Sequence, residues 1–301
     1  MKSLLLIINP VAGRGTYKNG LGEALHTLHS AGYAPTVRFT TRAGEAVDLA
    51  AQSAGYDLLC CMGGDGTLSD VVEGLMRLDE AARPPVGYFP LGTANDVAST
   101  LGLPKGDSPA CARIIAGGEA RAWDVGDMGG GRYFTYIAAF GAFTDVSYET
   151  PQQNKQALGH LAYVIEGVAR LPKLAAAHAV VEYDGGVIEG DFIFGGVTNS
   201  TSLAGMIHLD EELVSLSDGE FELLLVRTPQ NFVDLQAAFT EFLNKNYDGE
   251  QIKLLHTREV RFSFPQPVAW TRDGENGGEH SEVHLKNIHN AIRIRVSPDR
   301  C

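Results

Sequence analysis

The sequence predicts an α/β domain joined to a β-sandwich, and two observations carry that prediction. In the first third, short apolar runs alternate with helical apolar patterns, and glycines mark the junctions. From about Trp123 onward the chain changes to short strands separated by tight turns. The expected organisation is an α/β domain over about 1–122, a β-sandwich domain over 123–290, and a final strand in 291–301 that returns to the first domain.

The elements follow in order. Residues 3–8 read as a strand, and Leu21, Leu25 and Leu28 keep one face of the helix after it. Residues 36–40 form a second strand, followed by a helix through Ala46, Leu49 and Ala50. The unbroken apolar run 56–62 ends in glycines, as a buried parallel strand does. Leu68, Val71, Val72, Leu75 and Met76 then recur at helical spacing, and 85–89 is a further strand before a glycine turn at Gly92. In the second part, strands are expected at 133–139, 179–183, 192–197, 220–226, 260–264, 283–286 and 291–296. Helices are expected at 157–171 and 232–243, and Asp184-Gly185-Gly186 and Asp218-Gly219 supply turn signals.

Composition narrows the function classes. The 301 residues are 44% hydrophobic and 20% charged, with a formal net charge of -13. Such a field repels polyanions, so no nucleic-acid partner is expected. No apolar run approaches the roughly 18 residues of a membrane-spanning helix, and the apolar start breaks at Asn9-Pro10 before a signal segment is complete. A cytoplasmic protein is the expectation. Cys60, Cys61, Cys111 and Cys301 show no C-x-x-C spacing and read as inert thiols.

The sharpest motif is GGDGT at 63–67, between a buried strand and an amphipathic helix. Glycines let the backbone approach a phosphate chain, and the free N–H groups at a helix start favour negative charge. Asp65 beside phosphates makes sense where a divalent cation bridges the two, and Thr67 offers a hydroxyl. A turn merely rich in Gly and Asp is the plain alternative for five such residues. PLGTAND at 90–96 repeats the chemistry after a later strand, with Gly92, Thr93, Asn95 and Asp96 able to close around a nucleotide at the carboxyl edge of the sheet. NPVAGRG at 9–15 adds a third loop and the cation of Arg14. There is neither a GxxxxGK[ST] nor a GxGxxG pattern.

On these residues the chain resembles the diacylglycerol-kinase-like family, which also covers sphingosine kinases and bacterial lipid kinases. NPVAG at 9–13, Thr40, GGDGT and GTAND stand in the family's order and spacing, along the whole chain. The resemblance implies a nucleotide-binding first domain of the kind shared by NAD kinases and diacylglycerol kinases. It implies an ATP-dependent lipid kinase acting on diacylglycerol or a related lipid, with ATP and Mg²⁺ as cofactors. Nucleotide contacts fall by resemblance on Asn9, Pro10, Val11, Ala12, Gly13, Thr40, Gly63, Gly64, Asp65, Gly66, Thr67, Leu68, Ser69, Asp70 and Thr93, with Asn95 and Asp96 beside them. The family's usual Leu-Asn-Glu after GGDGT is Leu68-Ser69-Asp70 here, which shortens two polar side chains.

In TRDGENGG at 271–278 the resemblance places the general base on Glu275, with Asp273 orienting it; from residues alone, this is an exposed Asp-Gly turn. In SLSDGEF at 215–221 it implies a structural Mg²⁺ held by Asp218 with Ser215 and Glu220, where a plain hairpin fits equally well. The neighbouring acids Asp210, Glu211 and Glu212 read as a solvated face. His208, His256, His280, His284 and His289 lack zinc-site spacing, and no G-x-S-x-G elbow accompanies Ser200, Thr201 and Ser202.

The lipid substrate that the resemblance implies would bring the enzyme transiently to a membrane surface. The apolar stripe of 157–171 (Leu158, Leu161, Ile165, Val168, Leu171), with Lys155, Arg170 and Lys173 nearby, suits an anionic bilayer, although packing on the sandwich is the favoured use of such a stripe. A homodimer is the base-rate expectation for assembly. The alternatives are an NAD kinase-like activity, or a nucleotide-binding regulator without catalysis, against which Glu275 speaks.

Overall fold

A computed structural model describes residues 1–141, 176–203 and 207–298. The predicted helix at 157–171 and Cys301 lie outside them. The amino-terminal part is a parallel sheet of β1 (Lys2–Ile8), β2 (Tyr33–Phe39), β3 (Leu58–Gly63) and β4 (Val86–Pro90), in the order β2-β1-β3-β4. Helices α1 (Leu21–Ser30), α2 (Glu45–Ala50), α3 (Asp65–Met76), α4 (Asp96–Thr100) and α5 (Ser108–Gly117) complete it.

Strand alternation explains the layering. Leu4, Leu6 and Ile8 of β1 pack with Ala24, Leu28, Cys111 and Ile115 of α1 and α5, whereas Leu5 and Ile7 pack with Ala46, Leu68, Val71 and Leu75 of α2 and α3. Each such Leu or Ile contributes roughly 1.5–3 kcal/mol on burial. Cys60, Cys61 and Cys111 belong to these two layers, and burial raises all three thiols, so they are inert fillers.

The remainder is mostly antiparallel: β5 (Glu119–Asp127), β6 (Tyr133–Phe134), β7 (Ile137–Gly141), β8 (Ala177–Tyr183), β9 (Gly186–Thr198), β10 (Ser202–Leu203), β11 (Ile207–His208), β12 (Phe221–Arg227), β13 (Ile252–Thr257), β14 (Glu259–Arg272) and β15 (Glu275–Val296). Helix α6 (Phe232–Leu243) lies between β12 and β13. Its core gathers Phe134, Phe140, Phe221, Phe262 and Trp270, with Phe140 and Trp270 ring centroids 5.2 Å apart.

Two departures from the sequence reading shape the site. The expected strands at 283–286 and 291–296 are parts of one 22-residue strand, β15, which pairs with β14 near its start, with β5 along its second half, and with β4 in parallel at Ile294 and Val86. The expected strand 133–139 is broken in two because Thr135, Tyr136 and Ile137 give their N–H groups to a side chain instead of a neighbouring strand. That acceptor is Asp273.

Candidate functional site

Three loops meet at the carboxyl edge of the parallel sheet. The β1 loop starts with Asn9, whose N–H bonds Met62 O and whose side-chain amide donates to Thr67 Oγ1 at 3.0 Å. Its Oδ1 accepts from Val11 N–H at 3.1 Å, closing a turn that leaves Val11 projecting into solvent. Gly13 sits at φ 56 against the Leu91 carbonyl, where an added Cβ would lie 2.3 Å from that oxygen. Only a glycine fits so close to the third loop. Gly64 and Gly92 touch as well, and a Cβ on Gly92 would stand 2.8 Å from the Gly64 Cα.

Asp65 ties the second loop to the third. Its carboxylate accepts from Asp96 N–H at 3.1 Å and Val97 N–H at 3.4 Å, capping α4 from a distance, with Tyr88 Oη at 3.5 Å. Burial, then the Asp96 charge, raises its pKa to about 6. Thr67 folds back over Gly63, where a Cβ would meet its Oγ1 at 2.5 Å. Asn95 adopts φ 52, donates from its amide to Gly92 O at 2.6 Å, and keeps a buried Oδ1 with no hydrogen-bond partner among the described residues. Thr93 is exposed at the loop tip, and Thr40 N–H bonds Ile8 O just past β2. Pro10 and Ala12 complete the first loop.

Leu68 differs from its neighbours in the motif: its side chain is fully buried in the core and its N–H bonds Gly64 O, so that side chain supports the loop from behind. Ser69 is buried too, and its hydroxyl hydrogen-bonds the Asp273 carboxylate.

The turn between β14 and β15 covers α3. Asp273 (φ 48) and Gly274 (φ 79) make a tight two-residue connection that sets Arg272 opposite Glu275. Asp273 is buried, and its oxygens accept from Thr135 N–H (2.8 Å), Thr135 Oγ1 (2.9 Å), Tyr136 N–H (3.0 Å) and Ile137 N–H (3.2 Å). Those bonds occupy it as an anchor. Glu275, exposed at the start of β15, extends its carboxylate over Gly66 in the first turn of α3. Asp70, one turn further along the helix, is raised to about 6 by burial first and then by the charges of Glu275 and Glu73. The first N–H groups of α3, glycine backbone and a free carboxylate thus face one another, an arrangement able to hold phosphates beside a proton acceptor.

The chain is similar to named proteins over nearly all of its length. The model of the diacylglycerol kinase catalytic domain matches residues 3–128. A diacylglycerol kinase of Bacillus subtilis (strain 168) is 34% identical over 280 residues, covering 92% of this chain and 91% of the relative. The chain belongs to the diacylglycerol kinase family. A diacylglycerol kinase of Staphylococcus aureus (strain Newman) is 35% identical over 285 residues, covering 92% of this chain and 87% of the relative. The fold agrees: a putative diacylglycerol kinase from Bacillus anthracis str. Sterne superposes with a TM-score of 0.79 at 24% identity, covering 99% of this chain and 96% of its own. An NAD kinase from Archaeoglobus fulgidus in complex with ATP shares the fold more distantly, with a TM-score of 0.54 at 13% identity and coverage of 100% and 95%.

Away from these loops, the turn before β12 holds the residues that the diacylglycerol kinase resemblance assigned to a structural cation. Asp218 Oδ1 accepts from Glu220 N–H at 3.0 Å, and Glu220 O accepts from the Asn287 amide at 3.0 Å. Asp124, which sequence reasoning missed, spans the turn by accepting from Gly219 N–H at 2.7 Å and Asn290 N–H at 2.6 Å. Among the described residues no three His, Cys, Asp or Glu side chains gather as metal ligands. Glu222, two residues on, is nonetheless fully buried with neither carboxylate oxygen completing a hydrogen bond, and burial pushes it up to about 9. Ser215 and Asp218 are its polar neighbours. Asp218 is the carboxylate of this turn that could serve a hard cation, together with backbone carbonyls and water.

Proposed function

We propose that this chain is an ATP-dependent lipid kinase that transfers the γ-phosphoryl group to a hydroxyl of diacylglycerol or a closely related lipid. The observation that carries the reading is the Glu275 carboxylate above Gly66, where the three glycine loops converge. Its named relatives are diacylglycerol kinases.

In this reading the backbone of Asn9, Pro10, Val11, Ala12 and Gly13, of Gly63, Gly64 and Gly66, and of Gly92 and Thr93 surrounds the nucleotide, with Thr40 at its margin. The hydroxyl of Thr67 and the amide of Asn95 are the polar groups closest to the phosphates. Asp65 holds the loops together, and with Asp70 it presents the carboxylates that a Mg²⁺–nucleotide would meet. Such an ion neutralises charge on the phosphates. Glu275 removes the proton from the acceptor hydroxyl as its oxygen attacks phosphorus, and Asp273 fixes the turn that aims it. Asp218, with carbonyls at Ser215 and Glu220, would hold a separate structural cation. The enzyme works at the surface of the bilayer in which its acceptor resides. Among the described residues no helix is long and apolar enough to cross one.

The test is phosphoryl transfer from γ-labelled ATP to diacylglycerol, ceramide, sphingosine, undecaprenol, phosphatidylglycerol and NAD. Labelled phosphatidic acid from diacylglycerol is the expected product. Label in NAD alone, or in none of the six, overturns the reading.

A further inference from the structure

Gly66, Asp70 and Glu73 recur at helical spacing and line one face of α3, and the Arg272–Glu275 turn lies across that face. Arg272 is a cation set among the three carboxylates of Asp70, Glu73 and Glu275 from the turn side, while Arg77, four residues on from Glu73 at the end of α3, reaches Glu73 Oε1 at 3.6 Å. Its Nη1 donates to Glu73 Oε2 at 2.8 Å and to Tyr133 O at 3.0 Å. The two side chains are only 18% and 17% exposed, unlike surface pairs such as Arg42 with Asp48 at 61% and 45%. The same guanidinium acts favourably on Asp70, against the charges of Glu275 and Glu73. Arg272 is also the residue directly opposite Glu275 across the two-residue turn.

We infer that Arg272, paired with Glu73, is a positioning residue that fastens the Glu275 turn to α3 and so keeps the base above the start of the nucleotide-binding helix. Without it, Glu275, Asp70 and Glu73 repel one another with only Arg77 left to offset their charge, and the turn loses its tether to the helix. Asp273 holds the back of the turn to residues 135–137; Arg272 holds its front. A half-buried pair with a second acceptor at Tyr133 O resists the solvent screening that makes exposed pairs weak. Arg supplies donors for both acceptors at once, which Lys, as a single point charge, does less well.

The inference rests on the reading of Glu275 as the base, so two independent measurements test it. First, kcat is measured with diacylglycerol in detergent micelles for wild type, Arg272→Gln, Glu275→Gln and the double variant. Arg272→Gln is expected to lower kcat by roughly 10–100-fold while nucleotide Kd moves by less than about threefold, the scale of a displacement near 1 Å at a reacting group. In the Glu275→Gln background the same change is expected to cost less than about threefold, because the residue acts through Glu275. An equal fold-loss in both backgrounds overturns the inference. Second, hydrogen–deuterium exchange of the 271–280 segment in the full-length chain is expected to rise in Arg272→Gln and in Glu73→Gln, with Arg272→Lys intermediate. Exchange unchanged in both Gln variants overturns the inference whatever the activity. If wild type transfers no label to lipid, the functional reading falls while the exchange experiment still decides whether the fastening exists. Glu73→Gln keeps the test open should Arg272→Gln not fold.

Discussion

Glu275 and Gly66 are 209 positions apart, yet a methyl group on Gly66 would stand 2.7 Å from Glu275 Oε1. The carboxylate therefore occupies the space that a side chain at position 66 would fill. That contact joins the Glu275 turn to the first turn of α3.

Glu275→Gln keeps the size of the side chain and removes its basicity. At saturating ATP, kcat is expected to fall by roughly 10²–10⁴-fold, with nucleotide affinity nearly unchanged. Turnover within a factor of about three of wild type would remove Glu275 from the mechanism.

Gly66→Ala is expected to separate stability from activity. Gly66 lies inside α3, where alanine is favoured by about 1 kcal/mol over glycine. The clash falls on the far end of a flexible side chain, so the Glu275 carboxylate moves at little cost. Tm should hold or rise while kcat drops at least about tenfold, as expected when a reacting group is displaced by about 1 Å. Full activity in this variant would show that the base does not work from above Gly66.

Asp273→Ala strands the N–H groups of Thr135, Tyr136 and Ile137 and the hydroxyls of Thr135 and Ser69 in the interior. Leaving buried donors unmatched costs about 1–3 kcal/mol for each such group, and water entering the gap recovers part of it. Urea unfolding should show a loss of at least about 3 kcal/mol, with Asp273→Asn intermediate because it retains one acceptor oxygen. A change confined to kcat would make Asp273 purely a catalytic aid.

Stability should fall with rising pH through the weakly acidic range. Asp65 is raised from its ordinary 3.8 to about 6, chiefly by burial and next by Asp96. The folded chain therefore holds that proton more tightly than the unfolded chain does. The resulting stabilisation is complete below about 3.8 and is lost as pH rises through about 6. Measured without metal, the Tm of wild type relative to Asp65→Asn should decline between pH 4 and 7. A constant difference would mean an unperturbed carboxyl.

What the sequence made legible is what lies close together along the chain. GGDGT and GTAND announce themselves because strand, glycines and helix follow one another within a dozen residues, and 232–243 shows its helix by spacing alone. The break at Thr135 and Tyr136 was hidden, since the residues there favour a strand and the carboxylate that captures their N–H groups stands 138 and 137 positions away. The burial of the Leu68 side chain was hidden for the complementary reason. That residue sits inside a motif whose neighbours face the loop, but its helical phase turns it into the core. Arg272 with Glu73 and the buried Glu222 carry no local signal at all, because a lone charged residue becomes informative only when its surroundings are known.

The length of β15 has a mechanical consequence. Many two-layer enzymes open and shut by swivelling about a loose connector, but here one hydrogen-bonded ribbon, bent where its pairing with β5 shifts register between Ile288 and Ile292 and Asn290 takes φ 53, leaves the Glu275 turn and ends against β4. Its hydrogen bonds to β14 and β5 would have to shear for the two ends to move apart. The spacing between the Glu275 turn and the glycine loops is thus restrained by sheet hydrogen bonds and not only by loop contacts. In the proposed reaction an acceptor would therefore enter a gap whose width the sheet restrains, from the side or end-on, and its headgroup shape would count for more than any closing motion.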